Sequence, residues 1–138
     1  MIIKRKIYKN LCLWKEICNG SKALLIERVR RIGKSTIAEE FAKNEYKSYI
    51  LIDFNKASNT IIKAFDNLND LDTFFQMISL EMNVRLFKRE SLIVFDEIQL
   101  CERALTSLKY FCEDAPEYHV IVAGSLLGVA VNRAKFSF

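Results

Sequence analysis

Gly33-Lys34-Ser35-Thr36, reached through the basic run Arg28-Val29-Arg30-Arg31-Ile32, gathers an amine, two hydroxyls and several backbone N–H groups in one short stretch. Such groups bind anionic oxygen. Amides at a turn and at a helix N-terminus cradle phosphate, a Lys reaches the terminal oxygens, and a hydroxyl completes the shell of Mg²⁺. The spacing G-x-x-x-x-G-K-[ST] is met except at its first position, where Arg28 stands. Further along, Asp96-Glu97 closes the apolar run that starts at Ser91, and Gly124-Ser125 closes the run His119 to Ala123. Adjacent acids at a strand end can hold Mg²⁺ through the first and polarise an attacking water through the second.

The assignments that follow are Lys34, Glu97 and Ser125 as catalytic groups, and Arg30, Arg31, Ile32, Gly33, Lys34, Ser35 and Thr36 as the phosphate cradle. Ser35 and Asp96 are the expected Mg²⁺ ligands, with ATP as the nucleotide and Gln99 as a further polar group near the site. Plainer readings exist for each: a capped helix behind an exposed basic loop, a solvated strand terminus, and a Gly-Ser turn. Asp53 is read as supporting or capping the chain after its strand, not as a ligand.

The segments that must carry these residues show in the hydrophobic pattern. Ala23 to Ile26, Tyr49 to Ile52, Ser91 to Glu97 and His119 to Ala123 are continuous apolar runs, the sign of strands covered on both faces. Between them, Ile37, Ala38, Phe41 and Ala42 recur at helical spacing, as do Leu71, Phe74, Phe75, Ile78 and Met82 and then Ala104, Leu105, Leu108 and Phe111. The pattern predicts a short helix from about Tyr8 to Cys18 stopped by Asn19-Gly20, a helical piece at Thr60 to Phe65, a helix over 71–87 capped by Asp70 or Asp72, and a helix ending before Pro116. Trp14 is read as covering core, with stacking on an adenine as its lesser use. Strands alternating with helices make an α/β domain with a mainly parallel sheet, whose ligands bind beyond the carboxyl ends of the strands. Arg28 to Ser35, Asp53, Asp96-Glu97 and Gly124-Ser125 all fall at that edge.

The chain of 138 residues is 51% hydrophobic and 28% charged with 4 Gly and 1 Pro, which excludes collagen-like, linker-rich and disordered classes. A length in this range fits one domain. The organisation expected is a helical lead-in over 1–22 and a nucleotide-binding core over 23–138. A net charge of +4 suits an anionic ligand and equally allows weak nucleic-acid contact. Four cysteines without C-x-x-C spacing, beside a single His, form no ordinary zinc pattern and read as free thiols of a reducing, cytoplasmic setting. Ile7 to Ile17 is broken by Lys9, Asn10, Lys15 and Glu16, so neither a signal peptide nor a membrane span is expected.

The strings L-L-I-E at Leu24 to Glu27, R-R-I-G-K-S-T at Arg30 to Thr36, F-A-K-N-E-Y at Phe41 to Tyr46, S-L-I-V-F-D-E-I-Q at Ser91 to Gln99 and A-G-S-L-L-G at Ala123 to Gly128 resemble prokaryotic AAA+-type P-loop ATPases that carry a C-terminal domain likened to a restriction-nuclease fold. The resemblance covers nearly the whole chain. It implies a three-layer P-loop core, ATP and Mg²⁺ binding, a phosphate loop with Lys34 and Ser35, a Walker B pair at Asp96 and Glu97, and a sensor-like Ser125. Two departures qualify it. The family has Gly where this chain has Arg28, whose side chain either blocks phosphate or adds a cation. Blocking is the expectation, and a tenfold loss of affinity corresponds to about 1.4 kcal/mol. The family also continues into a fifth strand, a helical lid supplying an Arg, and the C-terminal domain, so the sequence reads as a truncated form with weak or absent ATP hydrolysis. An unpaired edge beside the phosphate-loop strand and the tail Phe136-Ser137-Phe138 would invite self-association. The alternatives are a non-hydrolysing regulatory module and a basic nucleic-acid-associated module.

Overall fold

The computed structural model describes residues 2–27 and 34–124, with side chains over 5–26 and 37–124. The elements run α1 (Ile2–Cys18), β1 (Leu24–Glu27), α2 (Lys34–Glu45), β2 (Ser48–Asp53), α3 (Asn59–Ala64), a 3-10 turn (Phe65–Asn67), α4 (Leu71–Met82), β3 (Ser91–Asp96), a second 3-10 turn (Ile98–Leu100), α5 (Glu102–Asp114) and β4 (His119–Gly124). The four strands form one parallel sheet in the order β1-β4-β3-β2.

Strand side chains alternate between two helical layers, as the period of two requires. Ile93 and Phe95 of β3, with Val120 and Val122 of β4, face a core built with Ile61, Phe74, Phe75, Ile78, Leu108 and Phe111 from α3, α4 and α5. Leu92 and Val94, with Ile121 and Ala123, face the opposite core made with Leu11 and Trp14 of α1 and Ile37, Ala38, Phe41 and Ala42 of α2. Every residue of β3 and β4 is buried, which explains why neither strand alternates apolar with polar. The result is the expected three-layer α/β core. Trp14 takes the core role: its indole N–H donates to the Lys22 carbonyl at 2.9 Å, and its ring meets the imidazole of His119 edge-on.

Three boundaries differ from the sequence pattern. α1 begins at Ile2 rather than near Tyr8, because Lys and Arg in Lys4-Arg5-Lys6 are good helix formers and Arg5 and Lys6 extend the helix as a solvated face. α4 stops at Met82 instead of continuing to 87: Asn83 turns left-handed (φ 55°), and the Val84 N–H donates back to the Ser79 carbonyl at 3.0 Å, a Schellman-type closure. The start of α4 is capped by Asp70, whose carboxylate accepts from the Thr73 backbone and hydroxyl, an arrangement that holds its pKa below the usual carboxylate value. β3 ends at Asp96, and Glu97 has already left the sheet.

The stop after α1 carries a steric consequence. Asn19 and Gly20 both have positive φ (45° and 91°), and a Cβ on Gly20 would overlap the backbone carbonyl of Pro116, where the chain passes between α5 and β4. Gly20→Ala therefore combines a disfavoured conformation with a backbone clash that no side-chain rotation relieves. The expected cost is about 2 kcal/mol or more, read as a lowered urea midpoint at unchanged m-value.

Candidate functional site

All four strands point the same way, so their carboxyl ends lie along one edge of the sheet. Glu27 is in register with Gly124, Asp53 with Asp96, and Phe95 with Val122. The order also seats β1 beside β4 and β4 beside β3. The strand that leads into the phosphate loop thus lies next but one to the strand that ends in Asp96. α2 begins at Lys34, and the pattern that puts Leu92 and Val94 toward α2 carries Asp96 to that same face. The N-terminus of the helix and the first acid accordingly share one layer.

The tip of β3 is built for a sharp exit. Asp96 is buried, and one carboxylate oxygen accepts the backbone N–H of Glu97 at 2.9 Å. Glu97 adopts φ 55° and ψ 42°, a left-handed conformation that costs a non-Gly residue about 1–2 kcal/mol, and the chain passes at once into the 3-10 turn. Buried Ile98 anchors that turn in the core. The Phe54 N–H donates to the Asp96 carbonyl at 3.0 Å, so the chain leaving β2 fastens the backbone of the acid from the other side. Asp53 closes a local turn by accepting the Asn55 N–H at 2.9 Å, in line with its reading as a cap.

Gln99 and Gly124 meet at this edge. The side-chain oxygens of Glu97 and Gln99 include buried atoms, and the Gln99 oxygen fills the space that a Cβ on Gly124 would take. The 3-10 turn packs against β4. Hydrophobic periodicity does not expose this contact. Its available signal was a Gly ending an otherwise bulky strand, which marks close approach by another group.

Of the residues singled out in the sequence, Asp96, Glu97 and Gln99 are brought together at the carboxyl edge. Lys34, Ser35 and Thr36 form the first turn of α2. Arg28, Arg30, Arg31, Ile32, Gly33 and Ser125 lie outside the described residues, as do residues 126–138. Among the described residues no group of three His, Cys, Asp or Glu could hold a metal alone. A Mg²⁺–nucleotide site does not require one, because Mg²⁺ is commonly held by one or two carboxylates together with substrate phosphates and water. Asp96, a hard oxygen donor fixed by a backbone N–H, fits that chemistry. The thiols of Cys101 and Cys112 are pushed up in pKa by burial, which suits packing rather than nucleophilic use. No helix among the described residues is long and apolar enough to cross a membrane.

Comparison with known proteins agrees with this architecture. A family model described as an AAA domain matches residues 20–136. The chain belongs to the AAA domain family. It is thereby a member of the P-loop ATPases, a nucleotide-binding family. The Walker-type ATPase Paby2304 of Pyrococcus abyssi superposes on this AAA domain with a TM-score of 0.57 over 94% of the present chain, at 17% identity. At that identity the likeness is one of fold. The AAA domain spans 47% of the archaeal chain, about half its length. No curated protein matches it.

Proposed function

We propose that this AAA domain binds ATP with Mg²⁺ at the carboxyl edge of its sheet, with hydrolysis weak or absent. The observation that supports the reading is Asp96 at the end of a fully buried strand, on the face that Leu92 and Val94 turn toward α2, the helix that opens on Lys34-Ser35-Thr36, with Glu97 next to it in the chain. Lys34 and the amides of residues 31–36 would hold the phosphates. Ser35 and Asp96 would hold Mg²⁺, which when bound neutralises charge on the phosphate oxygens. Glu97 would orient water, and Ser125 would bond the γ-phosphate or that water. Arg30 and Arg31 supply further positive charge to the loop. Arg28, in place of the Gly that leaves room for phosphate, is the reason for weak turnover. Self-association and a C-terminal restriction-nuclease-like domain are further parts of the reading that rest on the sequence resemblance, and a cytoplasmic setting is one that rests on reading the cysteines as free thiols.

The test is a titration with a fluorescent ATP analogue, with and without Mg²⁺, on the unmodified protein, Lys34→Ala and Arg28→Gly. Saturable, Mg²⁺-enhanced binding is expected, weakened at least about tenfold in Lys34→Ala, which is about 1.4 kcal/mol. Arg28→Gly should tighten binding by about the same factor. Absence of saturable binding at millimolar nucleotide in all three proteins would overturn the reading. Binding without phosphate release would identify a non-hydrolysing module.

A further inference from the structure

β2 and β3 open on Ser48 and Ser91, which pair in register at the amino edge of the sheet, opposite the edge that carries Asp96. Their hydroxyls organise the loop that precedes β3. Ser48 donates to the Arg85 carbonyl at 2.6 Å and accepts from buried Ser91 at 2.6 Å, and the Ser91 oxygen in turn accepts the Phe87 N–H at 2.7 Å. The Glu90 carbonyl accepts the Lys47 N–H at 2.8 Å, which ties the residue before β2 to the same loop. Val84 and Leu86 pack on the core and Phe87 is half-buried, whereas Lys47, Arg85, Lys88, Arg89 and Glu90 are exposed. The loop and Lys47 thus present four cations to solvent beside one carboxylate.

Two of the cations share a ring. Lys47 Nζ lies 4.3 Å and the Arg85 guanidinium carbon 5.2 Å from the Phe87 centroid. Each contact with the ring is attractive. The two charges nevertheless stand within one Debye length of each other, about 10 Å at 0.1 M salt, and repel. No carboxylate relieves them: among the described residues none of Lys47, Arg85, Lys88 and Arg89 is in an ion pair. Arg89 is held left-handed (φ 65°), with its N–H donating to the Glu117 carbonyl at 2.7 Å. It also lines a cleft of about 250 Å³ with Lys15, Glu16, Glu45 and His119, where opposite charges balance, so the basic surface ends at Arg89.

We propose that Lys47, Arg85, Lys88 and Arg89 form a docking surface for the phosphate backbone of a single-stranded nucleic acid, on the edge of the sheet opposite Asp96. The surface is independent of whether ATP binds at the other edge. Its chemistry selects among polyanions. A protein partner needs an apolar centre in its interface, and a membrane anchor needs apolar side chains that insert. The loop offers neither, because Val84 and Leu86 are turned to the core, and one exposed Leu80 on the preceding helix makes no patch. Phosphodiesters need only exposed, spaced cations. A single strand suits a surface of this size, since one loop and one lysine meet a few successive phosphates, whereas a duplex is read by a helix or ribbon laid in a groove. The hydroxyls of Ser48 and Ser91 are committed to the loop, so the surface meets charge rather than base edges.

The test is the fluorescence anisotropy of a labelled oligothymidylate titrated with the full chain over a range of salt concentrations, with thermal midpoints measured for every variant. Saturable binding is expected at low salt. The logarithm of the association constant should fall against the logarithm of salt with a slope of about −2 to −3, near −0.7 for each phosphate neutralised. Lys88→Gln and Arg89→Gln should each weaken binding about threefold at low salt and make the slope shallower by about 0.7, and the Lys47→Gln/Arg85→Gln/Lys88→Gln variant should weaken it about 30-fold. Lys109→Gln removes one exposed cation from α5 and should change affinity by less than about 1.5-fold. If the triple variant does not fold, through lost contact with Phe87, Lys88→Gln decides, since Lys88 is in no hydrogen bond or ion pair among the described residues. Absence of saturable binding at low salt would overturn the proposal. So would a folded triple variant that binds like the unmodified protein, which would put the strand elsewhere on the chain, or a loss in Lys109→Gln equal to that in Lys88→Gln, which would leave net charge as the whole cause. Tighter binding of a duplex of the same length, or Lys88-dependent capture by phosphatidylserine vesicles without binding of the oligothymidylate, would assign the loop a different partner and overturn it as well.

Discussion

Phe111→Ala is expected to remove about 3–5 kcal/mol of folding stability, a large part of the 5–15 kcal/mol available to a domain of this kind. Phe111 lies on α5, is almost wholly buried, and its ring centre stands 5.2 Å from Phe74, 5.6 Å from Phe75 and 6.0 Å from Phe95. Phe95 in turn contacts Phe54 and Phe65. The substitution thus opens a cavity where α4, α5 and β3 meet, and it also removes three aromatic pairings, each of about 0.5–1.5 kcal/mol beyond simple burial. Neighbouring rings cannot collapse into the space without leaving their other partners. Equilibrium urea unfolding checks the value, with Leu80→Ala as control. Leu80 is 81% exposed and should shift stability by no more than about 0.5 kcal/mol. The cluster also bears on the site, because Phe95 directly precedes Asp96. Nucleotide affinity measured on the folded fraction of Phe111→Ala should loosen with the β3 tip, whereas in Leu80→Ala it should stay unchanged.

The same packing explains how far the fold was legible in the residues alone. Strands covered on both faces must be apolar throughout, and β3 and β4 are, so their existence and parallel pairing followed from composition and spacing. The helices followed from their apolar faces. The boundaries that differed were those set by local backbone chemistry. Val84 and Leu86 do pack on the core, but from a non-helical segment, because the left-handed Asn83 ends α4 before them. Periodicity registers that such residues face inward and is blind to the turn that redirects them. At the first helix the reverse holds: Arg5 and Lys6 leave no apolar trace, yet their helix propensity carries α1 back to Ile2.

For the candidate site, the side-chain chemistry was legible and the geometry was not. Asp96-Glu97 announced a strand end with two acids, but the left-handed turn at Glu97 and the return of Gln99 to Gly124 depend on a contact between segments 25 residues apart in numbering, from 99 to 124. A pattern that runs along the chain carries no information on such a pairing. His119 escaped notice for a different reason. At the start of an apolar strand it reads as a tolerated polar residue, and its partners come from α1, the turn after α1 and Tyr46 just past α2, none adjacent in sequence.

Those partners make His119 the source of a pH-dependent loss of stability. The residue is buried at the amino end of β4, opposite the acid-bearing edge, with Nδ1 2.6 Å from the Tyr46 hydroxyl and Nε2 3.0 Å from the Asn19 side-chain oxygen. With that carboxamide oxygen facing Nε2, Nε2 carries the proton and donates, and Nδ1 accepts from Tyr46. A second proton on Nδ1 would displace the hydroxyl hydrogen and place a cation in a buried site, where burial first, and then the charges of Lys15 and Arg89, hold the imidazole pKa down to about 4 from its ordinary 6.5. The sign follows from proton counts. Between pH 6.5 and about 4 the unfolded chain binds this proton and the folded chain does not, so stability is complete above 6.5 and falls as the pH drops through that window. The full loss is on the order of 3 kcal/mol. His119 is the single histidine of the chain, so between pH 6.5 and 5 the decline belongs almost wholly to this group, before ordinary carboxylates titrate. Urea midpoints across that range should fall steadily in the unmodified protein and stay nearly flat in His119→Gln, even though the variant starts lower through loss of its two hydrogen bonds. A histidine NMR signal titrating near 6.5 in the folded protein would contradict the buried neutral imidazole. A signal that holds its neutral shift until the protein unfolds would establish that protonation is coupled to loss of the β4–α1 packing.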